Sequence, residues 1–452
     1  MRAKKEWNTK ATKREAKKED HGIIDVLKIT DHFFPELSDK INQMNDPRSE
    51  PYCTYTQADY IFLGILKNIC GQKTMTGMDE MFNEESCIEI LGMMSGHSQL
   101  EEMPHKDSLN YYLERLSPDE LSDVRTSMIR KLIRSKNFNG ARLLGKYWRI
   151  ILDGTGLHYY KEKPDGHCLV TKIKDADGKE KKLYYRKVLE AKIVLGEKLI
   201  LSLDTEFIEN ESEDVSKQDC ELNAAKRILE RINKNYPRLR ICIQGDGLYA
   251  AESMMEICDG NKWKYIFTQK EGRQRALAEA FEYIKGVDGA KEKDHICAED
   301  GKAVYENDVD EVAGKTSKMN VFEYTYEDAD GEKKRFQWVT NIRLTEYNIE
   351  EMVLSGRGRW KIENKGFNEQ KNGIYDIEHL NSKNYNAIKN HYLITQIADI
   401  IMRLYLSWSP VLKKIGESIK NTSSRLLESF RRHTVTDEDV SYIKRRTSVY
   451  LK

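Results

Sequence analysis

The spacing of apolar side chains divides the chain into a helical part followed by a part rich in β-strands. From residue 22 onwards apolar residues recur at helical intervals, as in the stretch QADYIFLGILKNIC at residues 57–70. Ser117 precedes Glu120 by three positions, a pairing that is typical of a helix start. The pattern therefore predicts an all-α region over residues 21–144.

The periodicity changes at about Gly145, where short β-rich runs begin. The runs KYWRIILDGTG, LYYRKVLEAKIVLG and KLILSLDTEFIE predict three strands. A helix, the strand LRICIQGDG, a second helix and the strand KWKYIFTQ follow, so the predicted order is β-β-β-α-β-α-β. In the run KYWRIILDGTG, the Asp-Gly pair is expected to stop the strand.

A second β-rich segment and more helices follow this core. Residues 286–344 contain two strand-like runs around the turn Ala329-Asp330-Gly331, which predicts a β-rich insertion. Helical patterns resume at about Thr345. We expect an α/β fold in which residues 145–285 and 345–410 together form one domain built on a mixed sheet, followed by a basic helical tail over 411–452.

The composition narrows the class of protein. The 452 residues are 39% hydrophobic and 33% charged, which argues against global disorder. No apolar run reaches the roughly 18 residues of a membrane span, and the N-terminus lacks the apolar core of a secretory signal. The 8 cysteines form no CxxC pair. These features predict a cytoplasmic protein without membrane contact.

The net charge is zero, but the charges are unevenly distributed. Residues 1–20, which we call the basic arm, carry a charge of +4, and residues 403–452 carry +6. Basic ends can bind phosphates, and the acidic middle that balances them can bind a divalent metal. Charge runs are also common on solvated faces, so this distribution alone leaves both interpretations open.

Two aspartates are predicted where open α/β sheets usually carry their chemistry. Asp153 follows the run WRIIL, and Asp246 follows LRICIQ. A glycine comes after each, which would let the backbone turn and leave the carboxylate accessible. Each Asp-Gly pair alone is also an ordinary strand end. The functional interpretation depends on having both acids on central strands of one sheet, together with a third.

Glu363 is the third acid, in the stretch GRGRWKIENKGFNEQKNG. Arg359, Glu363 and Phe367 are spaced four residues apart, so a helix would place them on one face. Carboxylates that converge in a cleft need a cation to neutralise them, and oxygen ligands of this kind select Mg²⁺ or Mn²⁺. The structural alternative for Glu363 is a surface salt bridge to Arg359.

This arrangement resembles the RNase H-like fold of DDE transposases, and most closely bacterial insertion-sequence transposases with a β-rich insertion before the third acid. The last motif of that family is Tyr-x2-Arg-x3-Glu-x6-Lys, which Arg359 and Glu363 match within an Arg-Trp-x-Ile-Glu setting. The segments Asp153-Gly-Thr and Asp246-Gly-Leu-Tyr are similar to those around the two aspartates of the family. The resemblance covers residues 145–410.

The resemblance implies a DNA transposase that depends on Mg²⁺ or Mn²⁺, with Asp153, Asp246 and Glu363 as catalytic metal ligands. Such an enzyme cuts DNA at the ends of its element, and the freed 3′-OH attacks target DNA. The implied partners are terminal inverted repeats, target DNA and a second copy of the chain when two ends are paired. The helical region 21–144 would bind DNA, and the protein would be bacterial and nucleoid-associated.

Basic residues around the last motif are candidate phosphate contacts. In the family the motif arginine and lysine contact DNA phosphates, which assigns this role to Arg359 and Lys371, and Arg357 and Lys365 lie in the same basic cluster. The chain departs from the motif twice. Gly356 occupies the tyrosine position, and Lys371 lies one residue late, which would turn it by roughly 80° from the predicted Glu363 face.

Several alternatives stay open at this stage. Asp204 and Glu206, two residues apart on a predicted strand, could be metal ligands instead. Aromatic residues could stack on bases, although such residues more often fill a core: Trp148, Trp338, Tyr159 and Tyr160. The rival functions are a nuclease of the same fold without strand transfer and an inactive DNA-binding descendant.

Overall fold

The structure is a computed structural model of the full chain. It describes residues 20–49, 53–174, 178–197, 199–212, 217–269, 274–287, 289–309, 319–359 and 366–445. The basic arm therefore lies almost entirely outside the described residues, as do Glu363 and Lys365.

The chain divides into two compact units. The first comprises Met1–Phe138, Gly196–Leu203 and Phe367–Lys452, and the second comprises Asn139–Leu195 and Asp204–Gly366. The first unit is helical and contains segments from both ends of the chain.

Short helices surround one long helix in the first unit. The helices that precede the sheet in the sequence are α1 (Ile23–Phe33), α2 (Leu37–Asn42), α3 (Gln57–Ile69), α4 (Met75–Met81), α5 (Glu85–Ser95), α6 (Lys106–Leu113) and α7 (Pro118–Arg134). Those that follow it are α12 (Glu369–Asn372), α13 (Tyr385–Trp408), α14 (Pro410–Ile415), α15 (Ile419–Arg432) and α16 (Asp437–Lys444). Helix α13 is buried along most of its length and packs against α1, α3, α6 and α7.

Helix α13 buries polar side chains that tie it to its neighbours. The Asn390 side chain donates to the carbonyl oxygens of Leu113 and Leu116 at 2.8 Å each. The buried Arg403 guanidinium pairs with Asp399 at 2.9 Å. Because a buried polar group without a partner is costly, these bonds restrict how α13 can pack.

The second unit contains a mixed sheet, although the first four residues of its strand β4 belong to the first unit. Within the described residues the sheet has ten strands: β1 (Trp148–Tyr160), β2 (Leu169–Lys174), β3 (Glu180–Val194), β4 (Ile200–Ile208), β5 (Ile241–Gly245), β6 (Lys264–Thr268), β7 (Lys291–Ile296), β8 (Gly301–Val309), β9 (Met319–Glu327) and β10 (Lys333–Thr340). Four α-helices of the second unit accompany the sheet: α8 (Glu221–Asn235), α9 (Glu252–Gly260), α10 (Arg275–Gly286) and α11 (Ile349–Gly358). The strand order is β2-β3-β1-β5-β6-β10-β9-β8-β7, and β4 pairs with β3.

This architecture confirms the predicted fold class, a mixed α/β sheet with helices before and after it. Strand β1 is antiparallel to β3 and parallel to β5, which is parallel to β6. The predicted core order is present, with β2 as an additional strand. Its sequence LVTKIK is polar and largely exposed, so it lacks the apolar run that marks a buried strand.

One predicted strand end is wrong. The pair Asp153-Gly154 does not stop β1, which continues through both residues to Tyr160. The reason is that β3 goes on pairing with β1 beyond this point, with Asp153 opposite Glu190 and Gly154 opposite Leu189. A strand partner therefore overrides the local turn preference of Asp-Gly.

The β-rich insertion extends the same sheet. Strand β10 pairs antiparallel with β6, and β9, β8 and β7 follow in antiparallel order. Helix α11 contributes Ile349, Met352 and Val353 to a buried cluster with aromatic residues of β9 and β10, which include Phe322, Tyr324 and Trp338. The insertion thus forms one core with the helix that precedes the predicted third acid.

Two further features of the described residues concern the cysteines and the apolar character of the helices. All eight cysteines are free, and Cys70, Cys87, Cys168, Cys242 and Cys258 are buried. Of the helices in the described part of the chain, none combines the length and the apolar character that a bilayer span requires.

Lys67 on α3 gives the first unit a testable pH dependence. Its side chain is 2% exposed, and its ammonium donates to the Lys73 carbonyl oxygen at 3.2 Å. Burial lowers the pKa of Lys67 to about 8 from its ordinary value of 10.5. Between these values the unfolded chain binds more protons than the folded chain, so the free energy of unfolding should rise with pH by about 3 kcal/mol.

We predict that Lys67→Met is more stable than the native chain below pH 8, and that this advantage shrinks as pH rises towards 10.5. Denaturant unfolding at several pH values measures both effects. The exposed residue Lys40 supplies the matched control, Lys40→Met, which removes a lysine without removing a buried one. A constant difference between Lys67→Met and the native chain across this range would contradict the prediction.

Candidate active site

The pairing of β1 with β5 brings two of the predicted acids to one end of the sheet. The parallel register runs from Trp148 opposite Ile241 to Ile151 opposite Gln244. Asp153 and Asp246 each lie two residues beyond the last pair. Because neighbouring strands are about 5 Å apart, the two carboxylates project from adjacent backbone positions.

Backbone hydrogen bonds orient both carboxylates. The Gly154 amide donates to Asp153 Oδ1 at 3.0 Å, and the Leu248 amide donates to Asp246 Oδ1 at 2.8 Å. The Tyr249 amide donates to the Asp246 carbonyl oxygen at 3.0 Å, which closes a turn after β5. Asp153 and Asp246 are both half-buried, so a bound substrate can reach them.

Tyr249 lies close to Asp153 and Asp246 in the interior of the second unit. Its side chain is fully buried, and its ring lies over Gly245, where a side chain would collide with it. Burial, followed by the nearby negative charges of Glu221, Asp153 and Asp246, raises the pKa of Tyr249 far above its ordinary value. Tyr249 therefore stays protonated, and its hydroxyl can donate to a carboxylate at this site.

That donation goes to Glu221, a residue that the sequence did not single out. Tyr249 donates to one oxygen of the Glu221 carboxylate, and Lys187 of β3 forms an ion pair with the other. The same carboxylate lies against Gly154, where any side chain would collide with Glu221 and Lys187. Glu221 thus links the residue after the first aspartate to the turn that carries the second.

The role of Gly154 corrects the expectation from the sequence. Gly154 lies within β1 and does not turn the chain. It leaves the space that Glu221 occupies. The only sequence signal for Glu221 is an acid in the first turn of a helix, which is too common to indicate a site.

Arg357, predicted to contact phosphate, lies against the insertion. Its guanidinium pairs with Glu299 at 2.8 Å and lies over the rings of Tyr324, Tyr326 and Phe336, 5.0–5.8 Å from their centroids. Such contacts combine ion pairing with cation–π attraction. In this structure Arg357 therefore attaches α11 to the insertion.

The adjacent Gly356 explains the first departure from the family motif. A β-carbon at position 356 would lie 2.6 Å from the Trp338 ring. The indole of Trp338 thus fills the space that a side chain would need.

The remaining predicted basic residues are only partly described. Arg359 follows α11 directly and is half-buried. Lys371 lies on α12 in the first unit, and its ammonium pairs with Glu378 at 2.7 Å. Glu363 and Lys365 lie outside the described residues, so their positions relative to Asp153 stay predictions.

The competing acids on β4 are paired with arginines of α8. Arg231 donates to Asp204 at 3.0 Å, and Arg227 donates to Glu206 at 2.5 Å. These ion pairs already neutralise the two carboxylates. Asp204 and Glu206 therefore hold α8 against β4 through these ion pairs.

The four aromatic residues that could stack on bases differ in how far they are buried. Trp148 and Trp338 are buried at 4% and 2% exposure, as the core interpretation expected. Tyr160 is half-buried, whereas Tyr159 is 60% exposed and differs from the other three.

The donor atoms at this end of the sheet fit a divalent cation in kind. Asp153 and Asp246 offer carboxylate oxygens, which Mg²⁺ prefers. Within the described ranges, no group of three or more His, Cys, Asp or Glu residues is arranged to bind a metal. A complete site would need a further ligand, and Glu363, outside those ranges, is the predicted one.

Comparison with known proteins identifies one family. A family model described as "Transposase DDE domain" matches residues 144–398, which is more than half of the chain. No curated protein matches. Among solved structures, the cryo-EM structure of a piggyBac transposase synaptic complex with hairpin DNA is similar, with 11% identity, a TM-score of 0.41 and coverage of 93% of this chain and 84% of that chain. That TM-score is too low to support a structural argument.

We predict that Gly154→Ala destabilises the fold by about 1 kcal/mol, because the new methyl group would displace the ends of the Glu221 and Lys187 side chains. Thermal unfolding measures the loss. Combining it with Glu221→Ala should recover part of the stability, since the two substitutions share one contact. Gly260→Ala is the control, because nothing lies within 4 Å of a β-carbon there. Equal effects at positions 154 and 260 would contradict the predicted collision.

A second prediction concerns Gly356. Within a helix, Gly→Ala normally stabilises by about 1 kcal/mol. Here the Trp338 ring reverses the sign, so Gly356→Ala should lower the free energy of unfolding by about 1–3 kcal/mol. Gly286→Ala, at the end of α10 with open space around it, should not destabilise. Denaturant unfolding of both variants is the test, and a stabilised Gly356→Ala would show that the packing argument is wrong.

Proposed function

The chain belongs to the family of transposases with a DDE domain, and from that premise we propose that it is an insertion-sequence transposase. It would cut DNA at the ends of its element and join the freed 3′ ends to target DNA. The observation that carries the proposal is the placement of Asp153 and Asp246 at equivalent positions beyond the β1–β5 pairing, inside the region that matches the family.

We assign the metal-binding role to Asp153, Asp246 and Glu363. These residues would hold Mg²⁺ or Mn²⁺, and the bound ion would neutralise charge that develops on the transferring phosphoryl group. Asp153 and Asp246 come from strands with a defined register, which limits how far their carboxylates can separate. Backbone amides bind one oxygen of each carboxylate and thereby orient it.

Basic residues would bind the phosphates that flank the cut. Arg359 and Lys365 lie on either side of Glu363 in the sequence, as a phosphate-contacting cluster requires. Lys371 has three donors and can keep its pair with Glu378 while it contacts a phosphate. Arg357 would act differently, by holding α11 against the insertion and so placing the start of the segment that contains Glu363.

Glu221 contacts the residues that carry the two aspartates. Its carboxylate accepts from Tyr249 and pairs with Lys187, so it holds the turn after Asp246 close to Gly154. We propose that Glu221 and Tyr249 are positioning residues for Asp153 and Asp246.

The partners follow from this function. Terminal inverted repeats and target DNA are the proposed substrates, and a second copy of the chain is the proposed partner when two ends are paired. The helical residues 21–144 and the basic arm are the proposed DNA-binding region. A bacterial, nucleoid-associated location in the cytoplasm accords with these roles.

We predict that Asp153→Asn keeps the fold and DNA binding but lowers the rate of strand cleavage in Mg²⁺ by at least about a hundredfold. The physical reason is that the amide cannot supply the negative charge that holds the ion, and this costs several kcal/mol of stabilisation. Cleavage of a plasmid that carries the element ends measures the rate. Asp330→Asn, in the exposed turn between β9 and β10, is the matched control and should cut normally.

Cleavage by Asp153→Asn at the native rate would refute the assignment of this strand to catalysis. A second assay separates the rival functions. A pre-cut element end with a free 3′-OH is joined to a target plasmid by a transposase, whereas a nuclease without strand transfer leaves it unjoined. An inactive DNA-binding descendant would bind the ends without either reaction.

A further inference from the structure

Strand β1 continues well beyond the candidate active site. Its described pairing with β5 ends at Ile151, whereas its pairing with β3 extends to Tyr160 opposite Tyr184. Strand β2 pairs with β3 from Tyr185 to Glu180, so the two pairings overlap at Tyr184 and Tyr185. We call this three-stranded region, residues 156–160, 169–174 and 180–187, the ribbon.

The ribbon carries an excess of positive charge. It contains six Lys and Arg residues against the single acid Glu180. Arg186 and Lys187 are paired with acids outside the ribbon, Asp165 and Glu221. The remaining four are exposed lysines: Lys172, Lys174, Lys181 and Lys182. Lys172 pairs with Glu180 at 3.0 Å, and the exposed side chains of the ribbon include more lysines than acids.

Two tyrosines form an aromatic surface on the ribbon. Tyr159 and Tyr185 are directly opposite each other, and their rings stack with centroids 6.3 Å apart at an angle of 23°. Tyr159 is 60% exposed. Its ring lies back along the strand over Gly156, where a side chain would collide with the phenol. A pair of stacked rings beside lysines offers both an aromatic face for a base and cations for phosphates, which is the combination that binds single-stranded or flanking DNA.

This aromatic surface is close to the first acid. Gly156 is three residues beyond Asp153, and a strand rises about 3.3 Å per residue, so the Tyr159 hydroxyl lies roughly 10 Å along the strand. That length corresponds to about three base-pair steps of duplex DNA. DNA held at Asp153 would therefore pass the ribbon within its first few nucleotides.

We propose that the ribbon binds the DNA that flanks the cut phosphate. The Tyr159–Tyr185 pair would pack against a base or sugar, and Lys174 and Lys182 would pair with phosphates. Charge complementarity favours DNA over a protein partner, because lysine is depleted at protein interfaces and strongly attracted to phosphates. The proposal rests on the proposed function and adds to it a substrate-binding surface outside the last motif.

The test measures DNA binding by the full-length protein without added metal. Fluorescence anisotropy with a labelled blunt duplex of arbitrary sequence gives the affinity at several salt concentrations. Tyr159→Ala should weaken binding by about fivefold to a hundredfold, whereas Tyr159→Phe, which keeps the ring, should bind like the native protein. Lys174→Glu combined with Lys182→Glu should reduce the salt slope by about two.

Matched controls come from exposed residues elsewhere in the second unit. Tyr283→Ala removes another exposed tyrosine, and Lys291→Glu with Lys333→Glu reverses two exposed lysines of the insertion strands. These variants should bind with near-native affinity. Thermal unfolding midpoints of all variants should match that of the native protein, since every substituted side chain is exposed or half-exposed.

Three outcomes distinguish this inference from its alternatives. Equal affinities and salt slopes for ribbon variants and native protein would overturn it, even if Asp153→Asn abolishes cleavage. A change of mass by light scattering in Tyr159→Ala, with unchanged DNA affinity, would also overturn it and identify a contact between protein chains. If Asp153→Asn cuts normally while the ribbon variants lose affinity, the proposed function fails and the ribbon inference stands.

Discussion

The candidate site depends on a short parallel ladder between β1 and β5. Four residue pairs set the register, and each strand then supplies an aspartate at the same distance beyond the last pair. A shift of one residue on either strand would move one carboxylate to the opposite face of the sheet. Such a shift of β5 would also take the buried Gln244 side chain away from Ser355, to whose carbonyl and hydroxyl oxygens it donates at 3.0 and 2.8 Å, and a buried amide without partners is costly.

Local patterns in the sequence predicted the elements well and the contacts between elements poorly. The mixed sheet, its core order and the flanking helices were predicted from apolar periodicity, and the fold class is confirmed. Strand β2 was missed because its residues are polar, and the end of β1 was misplaced because pairing with β3 cannot be inferred from the Asp153-Gly154 pair itself. The catalytic assignment of Asp153, Asp246 and Glu363 stays a prediction.

Three glycines show the limit of the sequence most clearly. Gly154, Gly245 and Gly356 provide space for side chains that are distant in sequence or on another element: the Glu221 carboxylate, the Tyr249 ring and the Trp338 indole, respectively. A glycine in a sequence indicates backbone freedom, but it does not reveal which neighbour fills the vacant volume. For that reason the contacts of Glu221 with Gly154 and of Trp338 with Gly356 became visible only in three dimensions.

The pairing of β10 with β6 also determines which strand forms this edge of the described sheet. Without the insertion, β6, with the buried residues Tyr265, Ile266 and Phe267, would present unpaired amides and carbonyls to other chains. With it, the outermost strand is β7, whose sequence KEKDHI is mostly charged and exposed and whose pairing with β8 is irregular after Lys293. Short, charged and irregular strands resist pairing with a second molecule. The insertion thus gives this margin of the described sheet a strand that is less prone to pair with a second molecule than β6 would be.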